Sequence, residues 1–375
     1  MKILHLWQRQ WRDGRGAARR FAAGLCLFLA ACTGSAAPDL RAQIDAQLEA
    51  NASLHGIPAQ SVLVMRNGEV LYRSQTGFAD IESQRAVRPD DVYAVYSVSK
   101  LFVSTLILEL VDQGRIDLEA PASRYIASLP PAWREARIEQ LLNHASGLPD
   151  YFQGTDGRLD FPRTRDEVFR TLGEKPLDFP PGTQVRYNQT NYLVLQAVLE
   201  RLHGMPYRQI VQRRIAEPLG LRDVYLGLAN APAGRLVSAY RGEGARLVPD
   251  PTVPWPDYSI AHAELFTTAD DLGVFLTAVA QGRFARPQTL ARLWRPYRQA
   301  NGQRGDFASG WDYGESEGFR EVGHDGGVKV RVRLIFRGDD LNDHYVIIYL
   351  TNGTREGVWT RRLVESIQPL VLQSD

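Results

Sequence analysis

Cysteine is almost absent from this chain: of 375 residues only Cys26 and Cys32 carry a thiol. Both stand near the N-terminus, so no disulfide can staple the rest of the chain, and cysteine nucleophiles and cysteine-rich metal sites are excluded by the same count. Lysine is nearly as scarce. Only Lys2, Lys100, Lys175 and Lys329 occur, and arginine supplies nearly all the other positive charge. A basic excess is missing too: the formal net charge is +1, but six basic residues against one acid precede residue 32, which leaves −4 for the remainder. Such a balance gives no electrostatic footprint for a nucleic acid, and that class of partner is set aside. The seven histidines show no spacing such as H-E-x-x-H, so no metal is assigned and no cofactor is expected. Repeats and low-complexity tracts are lacking as well. With 44% hydrophobic and 23% charged residues, the chain reads as globular and large enough to bury a substantial core.

The apolar run from Phe21 to Ala31 follows an arginine-rich start and is too short for a comfortable membrane span. Residues 1–31 therefore read as a secretory signal. The run ends in Leu29-Ala30-Ala31-Cys32, which resembles the lipobox of bacterial lipoproteins. That resemblance implies an acylated Cys32, a lipidated linker over 32–39, and a protein anchored to a membrane of the bacterial cell envelope, facing the periplasm or the exterior. An ordinary signal peptide cut near Ala37 is the alternative, because Ser35-Ala36-Ala37 also has small residues at the right spacing.

Leu40 to Leu54 has apolar residues at near-helical spacing. A hairpin comes next, with Ser61–Arg66 and Glu69–Ser74 flanking Asn67-Gly68, the pair favoured in a type I′ turn. From about 115 to 260 helical patterns dominate, among them Arg137–Asn143, Leu193–Leu202 and Tyr207–Ala216, the last predicted to break at Pro218. Thr268-Ala269-Asp270-Asp271 matches a cap for a helix over Leu272–Ala280. The C-terminal part returns to strands: Val328, Val330, Val332, Leu334 and Phe336 alternate with Lys329, Arg331, Arg333 and Ile335, predicting one apolar face and one solvated basic face. The stretch 344–351 reads as another strand, and 357–372 as a closing helix. A sheet built from both ends of the chain, with a helical lobe inserted between them, accounts for this order.

The chemistry centres on Tyr96-Ser97-Val98-Ser99-Lys100, at the mouth of a long apolar helix predicted to end at Gln113-Gly114. Residues three apart share a helical face, so Ser97 and Lys100 can meet while Ser99 points elsewhere. The helix start favours an anion and disfavours an ammonium, which turns Ser97 into a candidate nucleophile and Lys100 into its proton acceptor. Alone, the same spacing also suits an accidental serine and a surface lysine. Tyr187-Asn188-Gln189 is a second cluster. A phenolate at Tyr187 becomes less costly beside a lysine and a helix start, and the Gln189 amide can hold a substrate carbonyl; a half-buried aromatic near a turn is the plainer reading. The third is Gly323-His324-Asp325-Gly326-Gly327, where glycines at a strand edge admit a ligand and the Gly327 N–H can join the Ser97 N–H in an oxyanion hole. His324 can hydrogen-bond substrate or the Tyr187 oxygen, or be a loop histidine. His55, His144, His203, His262 and His344 read as structural or surface residues.

Together these clusters resemble the serine β-lactamase and penicillin-recognising family, within it the class C β-lactamase, DD-peptidase and esterase branch. Its elements are S-x-x-K, Y-x-N and a K-T-G or H-x-G on a strand, in that order. Leu141–Leu148, Pro181-Gly182-Thr183, Thr190-Asn191-Tyr192, Phe266–Leu272 and Leu350-Thr351-Asn352 also look like family stretches, so the likeness spans roughly residues 40 to 370. It implies a β-lactamase/transpeptidase-like α/β (α+β) fold: an antiparallel sheet flanked by helices, with an inserted all-helical lobe. The catalytic domain would be 40–375, its α/β lobe about 40–96 and 261–375 and its helical lobe about 97–260. Carried over, Ser97 is the acylated nucleophile, Lys100 its activator and Tyr187 the proton carrier, with Gln189, His324, Gly326 and Gly327 contacting a small-molecule or peptide substrate. Two departures stand out. Gln189 replaces the usual asparagine, and His324 stands where many β-lactamases carry lysine. A serine hydrolase acting on an ester or amide through an acyl-enzyme is the expectation, and a slowly turning over or non-catalytic penicillin-binding sensor is the alternative.

Overall fold

Helix α1 (Leu40–His55) opens the computed structural model, which describes residues 39–151, 161–244, 246–252, 254–355 and 357–373. The expected signal segment and Cys32 lie outside the described residues. Beyond α1 the predicted hairpin forms: Asn67 and Gly68 take φ of 53° and 92°, the left-handed pair a type I′ turn needs, and join β1 (Ala59–Arg66) to β2 (Glu69–Asp80). The remaining strands are β3 (Arg85–Ala86), β4 (Tyr93–Ala94), β5 (Tyr225–Leu226), β6 (Tyr240–Glu243), β7 (Arg246–Pro249), β8 (Leu265–Thr267), β9 (Phe307–Ala308), β10 (Trp311–Ser316), β11 (Phe319–Gly326), β12 (Val330–Arg337) and β13 (Asp340–Thr351).

The main sheet is antiparallel, in the order β3-β2-β1-β13-β12-β11-β10-β9, and so draws strands from both ends of the chain. β1 pairs directly with β13, from Gln60 opposite Thr351 to Arg66 opposite Tyr345. Both strands read as nearly unbroken apolar runs because both faces are covered. Val62, Val64, Ile347 and Tyr349 pack under α1 and the closing helix, whereas Leu63, Met65, Ile348 and Leu350 join the larger core on the other face.

Five further helices fill the middle of the chain: α2 (Ser99–Asp112), α3 (Ile138–Leu142), α4 (Arg165–Gly173), α5 (Thr190–His203) and α6 (Tyr207–Val211). After them come α7 (Ala269–Ala280), α8 (Pro287–Leu293) and the closing α9 (Thr360–Leu372). α2 is buried all round, from Ser99 to Leu110, as a helix with no polar face must be. Thr268 caps α7 by accepting from the Asp271 N–H at 3.1 Å. The inserted stretch is mostly helical, but it also carries β5 and the β6–β7 hairpin.

Two expectations fail here. The helix at Tyr207 does not break at Pro218: a π-helical turn over Gln212–Ala216 widens the ladder, and a further turn over Glu217–Leu219 ends at Gly220 with φ 66°. The widened turn accommodates a proline that has no N–H to give. The basic stripe of β12 is not solvated either. Arg331 and Arg333 are each 3% exposed, because β12 lies between β11 and β13 and α9 covers that side. Neighbouring strands supply the counter-charges: Arg331 Nη1 reaches Asp325 at 2.7 Å, and Arg333 Nη2 reaches Asp325 at 2.9 Å and Asp312 at 3.3 Å. Lys329 is spent on Asp250 at 2.6 Å.

Candidate active site

Ser97 sits in a single 3-10 turn, Tyr96–Val98, that leads straight into α2. The residue before it, Tyr96, has φ 47°, a left-handed conformation uncommon for a bulky side chain and a mark of local strain. Ser99 turns away: its hydroxyl donates to the Tyr96 carbonyl at 2.5 Å and accepts from the Leu265 N–H at 3.0 Å, tying the turn to β8.

One helical turn further in, Lys100 is fully buried, with Nζ 3.4 Å from Ser97 Oγ and 2.7 Å from the His262 carbonyl. The amine lies over the rings of Tyr187 and Tyr192, at 4.9 and 5.3 Å from their centroids. Burial drives its pKa well below the ordinary lysine value, against the opposing pull of Asp150 and Asp312. Burial thus favours the neutral, proton-accepting form of the amine.

Tyr187 donates from its hydroxyl to Ser97 Oγ at 2.8 Å. Its phenolate is not eased, contrary to the expectation from sequence. Burial pushes the phenol well above its usual range, with Tyr192, Asp312 and Asp150 adding to the push and the Ser97 hydrogen bond opposing it. The group is a protonated phenol.

The third cluster arrives on β11. His324 is buried, its ring 6.1 Å from that of Tyr187 and 6.3 Å from that of Phe307. Its Nδ1 lies 2.8 Å from the Asp325 carbonyl, which places the proton there and leaves Nε2 as an acceptor, buried and without a partner among the described residues. Burial lowers its pKa despite Asp312, so the ring is neutral. Gly326 permits a close approach: a Cβ there would lie 2.4 Å from the Val95 carbonyl. The end of β11 therefore abuts the segment carrying Ser97, and Gly327, with φ 58°, comes next in the turn.

Gln189 stands as the N-cap residue of α5, and its Oε1 is buried without a hydrogen-bond partner among the described residues. Its neighbour Asn188, passed over in the sequence, is buried as well. Asn188 donates from Nδ2 to the Leu148 carbonyl at 2.5 Å and from its backbone N–H to His144 Nδ1 at 3.1 Å. His144, read from sequence as structural or surface, packs its ring 4.4 Å from that of Tyr187. Burial pushes its pKa well below the usual histidine value. His262 is likewise buried, with its carbonyl on Lys100 and its ring bonded to the Tyr151 hydroxyl. The only sequence signal for His144 was that its stretch, Leu141–Leu148, and the one around Tyr187 both looked like family segments; in space they are one unit. Among the described residues, no group of histidine, cysteine and carboxylate side chains could hold a metal.

A buried serine held between a neutral lysine and a protonated tyrosine, on a helix against an antiparallel sheet, defines a protein of the serine hydrolase type. The comparison with known families agrees. The chain belongs to the Beta-lactamase family, whose profile matches residues 41–364. Among its relatives is Esterase EstB of Burkholderia gladioli, 30% identical over 318 residues, covering 74% of this chain and 79% of that one. The fold is shared with the D-amino acid amidase of Ochrobactrum anthropi SV3, at a TM-score of 0.73 and 22% identity over 90% of this chain and 100% of that one. A penicillin-binding protein homologue from Caulobacter crescentus matches at 0.71 and 21% identity, over 89% and 97%.

Proposed function

We propose that this chain is an exported hydrolase of esters or small amides that works through an acyl-enzyme on Ser97. The carrying observation is the neutral, fully buried Lys100 amine 3.4 Å from Ser97 Oγ. Its lone pair takes the Ser97 proton as Oγ bonds to the substrate carbonyl carbon. The carbonyl π electrons move onto oxygen, and the N–H groups of Ser97 and Gly327 receive that oxyanion; one such donor contributes about 3 kcal/mol of transition-state stabilisation. As the tetrahedral centre collapses, Tyr187 gives its proton to the leaving group, and the proton that Lys100 took from Ser97 replaces it. Water then attacks the acyl group by the reverse route, with Gln189 and His324 contacting substrate.

Esters and neutral amides are favoured over β-lactams. His324 is neutral and Lys329 is engaged by Asp250, so neither offers a free fixed charge to a drug carboxylate. The likeness to an esterase at 30% identity points the same way. Mass spectrometry after fluorophosphonate labelling is expected to find one adduct, on Ser97 and absent from Ser97→Ala; no adduct with any serine-directed probe would sink the reading. A panel of p-nitrophenyl esters, D-alanyl peptides and nitrocefin then ranks the substrates.

A sensor that acylates without turnover is the second reading, favoured by the unpartnered Gln189 amide oxygen. A stable adduct with no product release would select it. For location, Leu29–Cys32 supports a lipid anchor in the bacterial envelope. An acylated Cys32 at the mature N-terminus is the expected mass; an unmodified start near Pro38 rejects it.

A further inference from the structure

Away from Ser97, a cavity of about 290 Å³ opens where α3 meets the segment leaving α8. That is close to the lower end, about 300 Å³, of the usual range for small-molecule sites. Four arginines line it, Arg137, Arg292, Arg295 and Arg298, with Tyr297 between them and Glu139 the one lining carboxylate. Two of the four are compensated: Arg137 pairs with Glu139 at 2.9 Å, and Arg295 with Asp339 at 2.8 Å. Arg292 and Arg298 have no carboxylate within ion-pair distance among the described residues, and Arg298 only donates to the Gly302 carbonyl at 3.4 Å. The concentration is local, since the chain beyond residue 31 carries a formal charge of −4. Arg292, Arg295 and Arg298 are exposed at its mouth, and guanidinium forks match the oxygens of carboxylates and phosphates in paired fashion.

We propose that this cavity binds a small dianion, two negative charges borne on phosphate or carboxylate oxygens, with Arg292 and Arg298 as its principal ligands. The charge count sets the class: two guanidiniums stand unmatched, and a dianion matches them. It binds independently of acylation, because none of the lining side chains belongs to the Ser97 cluster.

The test is calorimetric titration of the full chain with inorganic phosphate, held above its second pKa so that it is a dianion, at about 0.15 M ionic strength, where exposed charges are screened beyond about 8 Å. Wild type is expected to saturate at one anion per chain. The Arg292→Gln, Arg298→Gln double variant should bind at least tenfold more weakly, with unchanged circular dichroism and Ser97 labelling; each single variant serves if the double one misfolds. Glu139→Gln, which removes the lining carboxylate, should bind severalfold more tightly. Malonate titrated in parallel tells carboxylate from phosphate chemistry, and saturation by either anion supports the site. Heat without saturation by both anions in wild type, equal affinity in the arginine variants, or unchanged or weaker binding in Glu139→Gln overturns the proposal.

Discussion

Lys100 shows how burial, and not identity, decides what a residue can do. An ammonium at that position would be useless as a base, and only the loss of water around it makes the amine neutral. The pH profile should report this. In kcat/KM for an ester, activity rises with pH as Lys100 loses its proton and is level above, so the acid limb belongs well below the ordinary lysine value of 10.5. A limb near 10 would contradict a neutral amine. Lys100→Arg, which stays charged at every accessible pH, should cost about 10²- to 10⁴-fold, the usual contribution of a proton-transfer group, and should abolish the limb. Ser97 and Lys100 were legible because their relation is local, three residues on one helical face. His144 and Asn188 were not. What places His144 beside Tyr187 is its hydrogen bond from the Asn188 N–H across 44 positions, between two loops whose separate sequences say nothing of it.

Among the elements, β11 has the tightest tolerance. A methyl group at Gly326 would sit 2.4 Å from the Val95 carbonyl and 2.9 Å from Val330 Cβ, so the strand end must withdraw from the nucleophile's turn. Gly326→Ala is therefore expected to destabilise by about 1–3 kcal/mol, the cost of overpacking, while kcat/KM drops at least tenfold. Denaturant titration beside ester kinetics separates the two; a fully active variant would show that the contact does not set the site. β12 carries the opposite lesson. Its alternation gave the strand but not the environment of the charged face, because the partners Asp312 and Asp325 arrive from β10 and β11. Arg333→Leu leaves the partly buried Asp312 carboxylate without its only ion-pair partner among the described residues, and a loss of up to about 3 kcal/mol is expected from urea unfolding. A loss below about 1 kcal/mol would mean that water already serves that carboxylate.

Taken as a whole, the molecule buries three neutral histidines around one centre, His144, His262 and His324, each with its pKa pushed down by desolvation. Unfolding releases them to the ordinary value of about 6.5. Below that value the unfolded chain binds protons the folded one refuses, so the histidines' contribution to stability is fully present above about pH 7 and is lost as pH falls toward the folded-state values. The slope approaches about 1.4 kcal/mol per pH unit for each histidine. The melting temperature should thus decline steeply from about pH 7 toward pH 5, while above pH 7 the buried Lys100 amine keeps stability rising with pH, because the unfolded chain still binds that proton; a rise on acidification below pH 7 would refute the assignment. Of this scale the sequence showed the layout, strands then helices then strands, since hydrophobic periodicity survives in each segment. It could not show which histidines are dry, because each is enclosed by residues far from it in the chain.

The pairing of β1 with β13 also fixes when the protein can become active. Gln60 lies opposite Thr351, so the central seam of the sheet joins the two ends of the described chain, and β11 reaches Val95 only once its own neighbours β12 and β13 are in register. Such distant contacts form late and slowly. A chain still being synthesised carries Ser97 and Lys100 from early on but has no closed sheet to dry the amine and no strand to receive the oxyanion. Hydrolytic competence is thus expected only of a chain that reaches β13, and one stopped before that strand should show no ester hydrolysis.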